Sequence, residues 1–252
     1  MFKNKLKSNA RKIDLFLKNY LKSQKRSLLI NPMNYGVLSG GKKIRSSIIF
    51  AAGKLYNLKS NNLLNICGAV ECIHSYSLIH DDLPCMDNDK LRRGKATAHI
   101  KYGESTAVLA GNSLLTLAFE MISDKRFKIK DNKKISLIKK LAECSGHTGI
   151  AGGQELDLKY EKKRKKFKEI INMQRKKTGK LFGFCCFAAG QIGGQSKKAN
   201  IELVKLGEDI GLLFQLADDF LDVKGKSKYT GKKVNKDKKK GKSTIILSLI
   251  HI

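Results

Sequence analysis

Apolar side chains recur at helical spacing along nearly the whole chain, and this periodicity limits the fold more than any other feature. Ile13, Phe16, Leu17 and Tyr20 form one stripe; Leu63, Ile66, Val70 and Ile73 form another. Thr106 to Ile122 reads as a long, mostly buried helix rich in Leu and Ala, and Leu181 to Ile192 and Ile201 to Val223 continue the pattern. No period-two alternation reaches strand length, and no Asn-Gly hairpin signal occurs. Helices that are apolar nearly all round belong to the interior of a large bundle, so the expected fold class is all-α. Proline occurs only at Pro32 and Pro84, and no Gly/Ser/Pro-rich linker is present, which favours one compact body.

The formal charge is +29 at pH 7, which invites a nucleic-acid partner. Only 8 of the 51 basic residues are Arg, and the lysines are spread along the chain rather than gathered on one element. Base and phosphate readers lean on Arg, so no nucleic-acid partner is expected. The six cysteines (Cys67, Cys72, Cys85, Cys144, Cys185 and Cys186) show no metal-ligand spacing and read as free thiols of a reducing compartment. No membrane span is expected: Leu181 to Gly190 is too short to cross a bilayer, and Met1 to Lys7 is followed by no apolar signal block. The expectation is a soluble, cytoplasmic protein.

Two acidic clusters carry the chemistry. Asp81, Asp82 and Asp87 surround Pro84, which should break the helix there; Arg92 and Arg93 follow, able to bind phosphate oxygens bidentately. Downstream, Asp218 and Asp222 are four apart and share a helix face, with Asp219 beside them and Gln215 one turn earlier. Like charges in apolar surroundings (Leu216, Ala217, Phe220, Leu221) call for cations. Carboxylate clusters with matching basic residues suggest several divalent cations and a polyphosphate, since Mg²⁺ takes one or two carboxylates with phosphates completing its shell. Lys42 and Arg45, in the flexible Gly40-Gly-Lys-Lys-Ile-Arg45, are further anion ligands, and His74 lies two turns before Asp81. Lys159 to Lys168 is expected to begin a solvated helix. Lys224 to Lys242, with ten lysines and three glycines, is expected to be a mobile loop that closes over phosphate.

The ordered set Gly-Gly-Lys-x-x-Arg, His74, Asp-Asp-x-x-x-x-Asp with Arg-Arg, then Gly152-Gly-Gln154 with Asp157, Lys177-Thr178-Gly179, and Gln215 with Asp-Asp-x-x-Asp resembles the trans-isoprenyl diphosphate synthases. It resembles most their bacterial farnesyl-forming branch, over essentially the whole chain. The resemblance implies a polyprenyl synthetase domain over residues 1–252, a single antiparallel helical bundle around a deep cavity, and a homodimer. It implies that Asp81 and Asp87 hold two Mg²⁺ and Asp218 a third, with Asp82, Asp219 and Asp222 as ligands or support. Arg92, Lys177, Lys232 and Lys242 would bind the allylic diphosphate, while Lys42, Arg45, His74 and Arg93 would bind isopentenyl diphosphate. Thr178 and Gln215 would place oxygen dipoles near a carbocation. The implied activity is Mg²⁺-dependent condensation of isopentenyl diphosphate with dimethylallyl and geranyl diphosphate to farnesyl diphosphate. Geranyl or geranylgeranyl diphosphate synthesis, or an inactive scaffold subunit of the same fold, are the alternatives.

Tyr76 and Ser77 lie about one helical turn before Asp81, where a bulky Tyr76 would floor the cavity and stop the chain at the farnesyl length. Three departures from the family pattern stand out. Ser46 replaces a usual proline, Asn112 replaces a common Asp, and the chain stops at Ile252 in an apolar run, short of the family's last helices.

Overall fold

The computed structural model describes residues 2–224, 242 and 244–246, and these are helical nearly throughout, as the periodicity requires. They fall into two compact units, residues 1–139 with 188–196 and residues 140–187 with 197–252.

In the first unit, α1 (Phe2–Lys22), α2 (Ile30–Val37), α3 (Ile44–Leu55), α4 (Leu64–Asp81), α5 (Ala98–Tyr102) and α6 (Glu104–Ser123) surround a core centred on α4. Ile66, Cys67, Ala69, Val70, Cys72 and Ile73 are fully buried, which accounts for a helix that is apolar on every side. The α1 stripe is equally buried at Ile13 and Leu17.

Helix α6 corrects one expectation. By length and composition it is apolar enough to cross a bilayer, although the sequence singled out only the shorter Leu181–Gly190 run. Its face of Ala107, Ala110, Leu114, Ala118, Met121 and Ile122 is buried against α4, so its apolar character serves the core.

A second correction is a short hairpin, β1 (Leu91–Arg92) and β2 (Lys95–Ala96), pairing Leu91 with Ala96 and Arg92 with Lys95. Its turn places Arg93 at φ 53° and Gly94 at φ 75°. Two positive φ angles fit the turn twist of a two-residue hairpin. Arg-Gly fills the place that Asn-Gly usually takes, which is why the signal was absent.

The second unit contains α8 (Ile150–Tyr160), α9 (Phe167–Gln174), a π-helical turn (Arg175–Gly179), the start of α10 (Lys180–Ile192) and α11 (Lys197–Lys224); α7 (Asp131–Ser145) precedes them. The helix expected to begin within Lys159 to Lys168 starts only at the end of that stretch. The chain leaves α8 at Tyr160, and α9 starts at Phe167 after an extended Lys166, whose N–H donates to the Glu169 carboxylate at 3.0 Å. Helices α10 and α11 approach closely at Gly207, where a Cβ would sit 2.5 Å from the Phe182 carbonyl oxygen. The Phe182 and Phe214 rings pack beside this contact, 5.4 Å apart. Ile245 joins Ile170 and Met173 in a buried cluster flanked by Leu156, Tyr160, Ile171 and Leu216. Residues 225–241, where the basic loop and Lys232 are expected, and the apolar end at 247–252 lie outside the described residues.

Candidate active site

In the first unit, α4 carries His74, Tyr76, Ser77 and Asp81 and ends at Asp81, before Pro84. The following turn folds back on the helix end. The Asp87 N–H donates to the Asp81 carbonyl at 2.9 Å and the Asp89 N–H to the Asp82 carbonyl at 3.2 Å, so the non-helical spacing still brings Asp81 and Asp87 together. Both are half-buried. Asp82 is buried and faces Arg92, whose Nε and Nη2 reach Oδ2 at 2.8 Å and Oδ1 at 2.7 Å. The carboxylate of Asp82, expected as a metal ligand or its support, holds a guanidinium.

The loop before α3 meets the same region. Gly40 and Gly41 have positive φ, and a Cβ on Gly41 would clash with the Arg93 guanidinium, which donates a hydrogen bond to the Gly40 carbonyl. This brings the loop of Lys42, just before Arg45 on α3, against Arg93. Beneath it lies a buried polar cluster that sequence reading missed. Lys43, in the left-handed region at φ 45°, donates to the Val37 carbonyl at 2.7 Å and faces Glu71 at 3.7 Å. Ser46, the residue in place of proline, donates its hydroxyl to Glu71 at 2.7 Å. A glutamate inside the apolar run from Cys67 to Ile73 was the available signal. Burial and the cations of Arg45, Arg93, Lys43 and Arg92 push the His74 pKa well down, so His74 is a neutral donor or acceptor near pH 7. Tyr76 is buried and packs edge-on against His80, ring centroids 5.7 Å apart; the Ser77 hydroxyl turns back to the His74 carbonyl at 3.0 Å.

In the second unit, the π-helical turn presents Lys177 and Thr178. Such turns interrupt a helix most often at functional sites. Helix α8 presses against it: a Cβ on Gly153 would lie 2.2 Å from the Lys177 nitrogen. Lys177 Nζ donates to Asp157 at 2.6 Å, and Lys242 Nζ reaches the same Oδ2 at 3.0 Å and Glu161 at 2.7 Å. Burial pushes the Asp157 carboxyl up, but the two lysines hold it below its ordinary value. On α11, Asp218 and Asp222 are half-buried on one face, whereas Asp219 is 1% exposed. Asp219 accepts hydrogen bonds from Gln215 Nε2 at 2.7 Å and the Ile245 N–H at 3.0 Å. Thr178 Oγ1 donates to Gln215 Oε1 at 3.3 Å.

Among the described residues no three His, Cys, Asp or Glu gather into a closed metal shell. What is present fits Mg²⁺ nonetheless. Asp81 with Asp87, and Asp218 with Asp222, are half-buried carboxylates, the oxygen donor type of an ion whose shell is completed by water and phosphate.

The polyprenyl synthetase family model matches residues 26–251. The chain is 44% identical over 218 residues to a farnesyl diphosphate synthase of Escherichia coli, covering 86% of this chain and 73% of that one. It is 38% identical over 250 residues to that of Micrococcus luteus, covering 98% and 84%. The chain belongs to the polyprenyl synthetase family.

Solved structures agree on the fold of this polyprenyl synthetase. An FPP/GFPP synthase of Zymomonas mobilis superposes with a TM-score of 0.85 at 37% identity, covering 98% of this chain and 84% of that one. A geranyltransferase of Helicobacter pylori, complexed with magnesium and isoprenyl diphosphate, gives 0.82 at 31% identity over the same shares. Asp157, Glu71 and Glu161 are polyprenyl synthetase residues to which motif reading assigned no task. Each is a carboxylate that holds in place a lysine or serine of a motif or its flank.

Proposed function

We propose that residues 1–252 form one polyprenyl synthetase domain acting as a Mg²⁺-dependent prenyltransferase. It joins isopentenyl diphosphate to dimethylallyl and then geranyl diphosphate, releasing farnesyl diphosphate, and works as a cytoplasmic homodimer. The observation that carries this reading is the fold-back turn, which ties the Asp87 backbone to Asp81 while Arg92 grips the neighbouring Asp82. Relatives named farnesyl diphosphate synthase at 38–44% identity support it.

Asp81 and Asp87 would hold two Mg²⁺ and Asp218 a third, with Asp222 in support, and the bound ions would supply positive charge to stabilise a diphosphate leaving group. Arg92, Lys177 and Lys242 bind the allylic diphosphate, as does Lys232, which lies outside the described residues. Lys42, Arg45 and Arg93 take the diphosphate of the isopentenyl substrate, and neutral His74 adds a hydrogen bond. The allylic C–O bond breaks with its electron pair leaving on diphosphate. The isopentenyl double bond attacks the allylic carbon, and the resulting cation loses a proton to the released diphosphate as the new double bond forms. Thr178 and Gln215 face the transient cation with oxygen lone pairs. Apolar walls, Tyr76 among them, keep water from it.

Purified protein incubated with Mg²⁺, dimethylallyl diphosphate and isopentenyl diphosphate should yield farnesyl diphosphate, and chelation should abolish it. Geranylgeranyl diphosphate as the main product would move the chain-length assignment; folded protein that makes no prenyl product would overturn the reading.

A further inference from the structure

We infer that Asp219 is a positioning residue: it fixes the rotation of the Gln215 amide so that the oxygen, not the nitrogen, is turned toward Thr178. This rests on the reading above, in which Gln215 and Thr178 face the cation.

The four groups form one directed chain. Asp219 Oδ2 accepts the Ile245 N–H at 3.0 Å, and Oδ1 accepts Gln215 Nε2 at 2.7 Å. Gln215 Oε1 accepts from the Thr178 hydroxyl at 3.3 Å. The direction is forced by chemistry. An amide can be turned end for end with little change in shape, so only its partners decide which end faces where. With Oδ2 accepting the Ile245 N–H, Oδ1 is the oxygen that faces the Gln215 amide, and as an acceptor it pairs with Nε2. Turning the amide would set Oε1 against a carboxylate oxygen at 2.7 Å, a repulsive contact in a site where Asp219 is only 1% exposed. Asp219 cannot swing away to relieve it, because the Ile245 N–H holds its other oxygen and Ile245 is itself buried against Ile170 and Met173.

The consequence is electrostatic. With the amide so fixed, both Gln215 and Thr178 present oxygen lone pairs, the partial negative charges that a neighbouring carbocation requires. With the amide reversed, an NH₂ group would present its positive end and raise the barrier. The oxygen is fixed before substrate arrives, and a preorganised dipole costs nothing to orient during the reaction.

Asp219→Asn is nearly isosteric and removes the compulsion, because one end of its amide is a donor. The side-chain amide of Gln215, followed by NMR in ¹⁵N-glutamine-labelled protein without metal and assigned by its loss in Gln215→Leu, reads the orientation directly. In wild type one proton should be shifted downfield and exchange slowly, and in Asp219→Asn it should revert toward the solvent-exposed position. In the assay, Asp219→Asn should lower kcat about 10- to 100-fold. Both KM values and the Mg²⁺ dependence should stay put. Gln215→Leu should lose as much, and the double variant no more than either single one, because Asp219 acts through Gln215. Additive losses, a shifted Mg²⁺ requirement, or a wild-type Gln215 amide that resonates and exchanges as if in solvent would each overturn the assignment; the last needs no variant to fold. A wild type that makes no prenyl product would sink the functional reading instead, while the amide spectrum would still decide the orientation.

Discussion

Arg92 grips Asp82 with two adjacent nitrogens, Nε at 2.8 Å from Oδ2 and Nη2 at 2.7 Å from Oδ1, and the Asp82 side chain is 4% exposed. An arginine pinned this way presents its remaining N–H groups in a fixed direction. Asp82→Asn should therefore raise KM for the allylic diphosphate and lower stability by about 1–3 kcal/mol, less than a wholly buried pair because Arg92 is partly solvated. Urea unfolding together with steady-state kinetics checks both. Unchanged stability would mean that the fork contributes nothing.

Ser46 gives a test of a different kind. Its hydroxyl and N–H both donate to buried Glu71, at 2.7 and 3.4 Å. Installing the proline usual for the family, Ser46→Pro, removes both donors while keeping a residue tolerated in a first helical turn. A loss of about 1–3 kcal/mol by urea unfolding is expected, since the carboxylate is left underserved.

These two contacts mark where reading the sequence stopped. Helices α4, α6 and α11 were legible because their apolar spacing is set locally, and Pro84 correctly marked the end of α4. The motif residues were legible as a set. What each carboxylate does was not: Asp82 and Asp219 sit beside Asp81 and Asp218 in the sequence, yet one holds an arginine and the other an amide and a backbone N–H. Arg92 and the Ile245 N–H come from 10 and 26 residues away, separations that periodicity cannot resolve. The π-helical turn around Lys177 and the Arg93-Gly94 hairpin turn escaped for a related reason, as neither uses the residues that normally announce it.

Tyr76 is buried and braced by His80. Tyr76→Ala should lengthen the products beyond farnesyl diphosphate, seen by chromatography of the dephosphorylated prenols. An unchanged product distribution would show that Tyr76 only packs.

His74 should stay uncharged through the working range, because burial and four nearby cations push its pKa down. In the unfolded chain it protonates near its ordinary value of about 6.5, so protons favour unfolding, and stability is lost as pH falls below that value. Wild type should lose stability between about pH 7 and about pH 5 that His74→Gln retains, measured by thermal melts across that range.

Asp157 has the opposite sign. Its folded pKa lies below the unfolded value of about 3.9, so its contribution is complete above that value and disappears as pH falls through the folded one. Asp157→Asn should be less stable than wild type at neutral pH, with the gap closing in acid. A gap that stays constant with pH would assign the loss to packing.

That carboxylate also sets an entry condition. Lys177 and Lys242 do not wait with bare charges; both ammonium groups already rest on Asp157, which behaves as a resident anion. A visitor must outbid it. Chloride or a simple carboxylate brings no more charge than the occupant and gains little by exchange, whereas a diphosphate brings several negative oxygens and can engage both lysines at once. If the two lysines take the diphosphate as proposed, the site would thereby filter anions by charge number before shape is consulted, a useful property in a chain of charge +29.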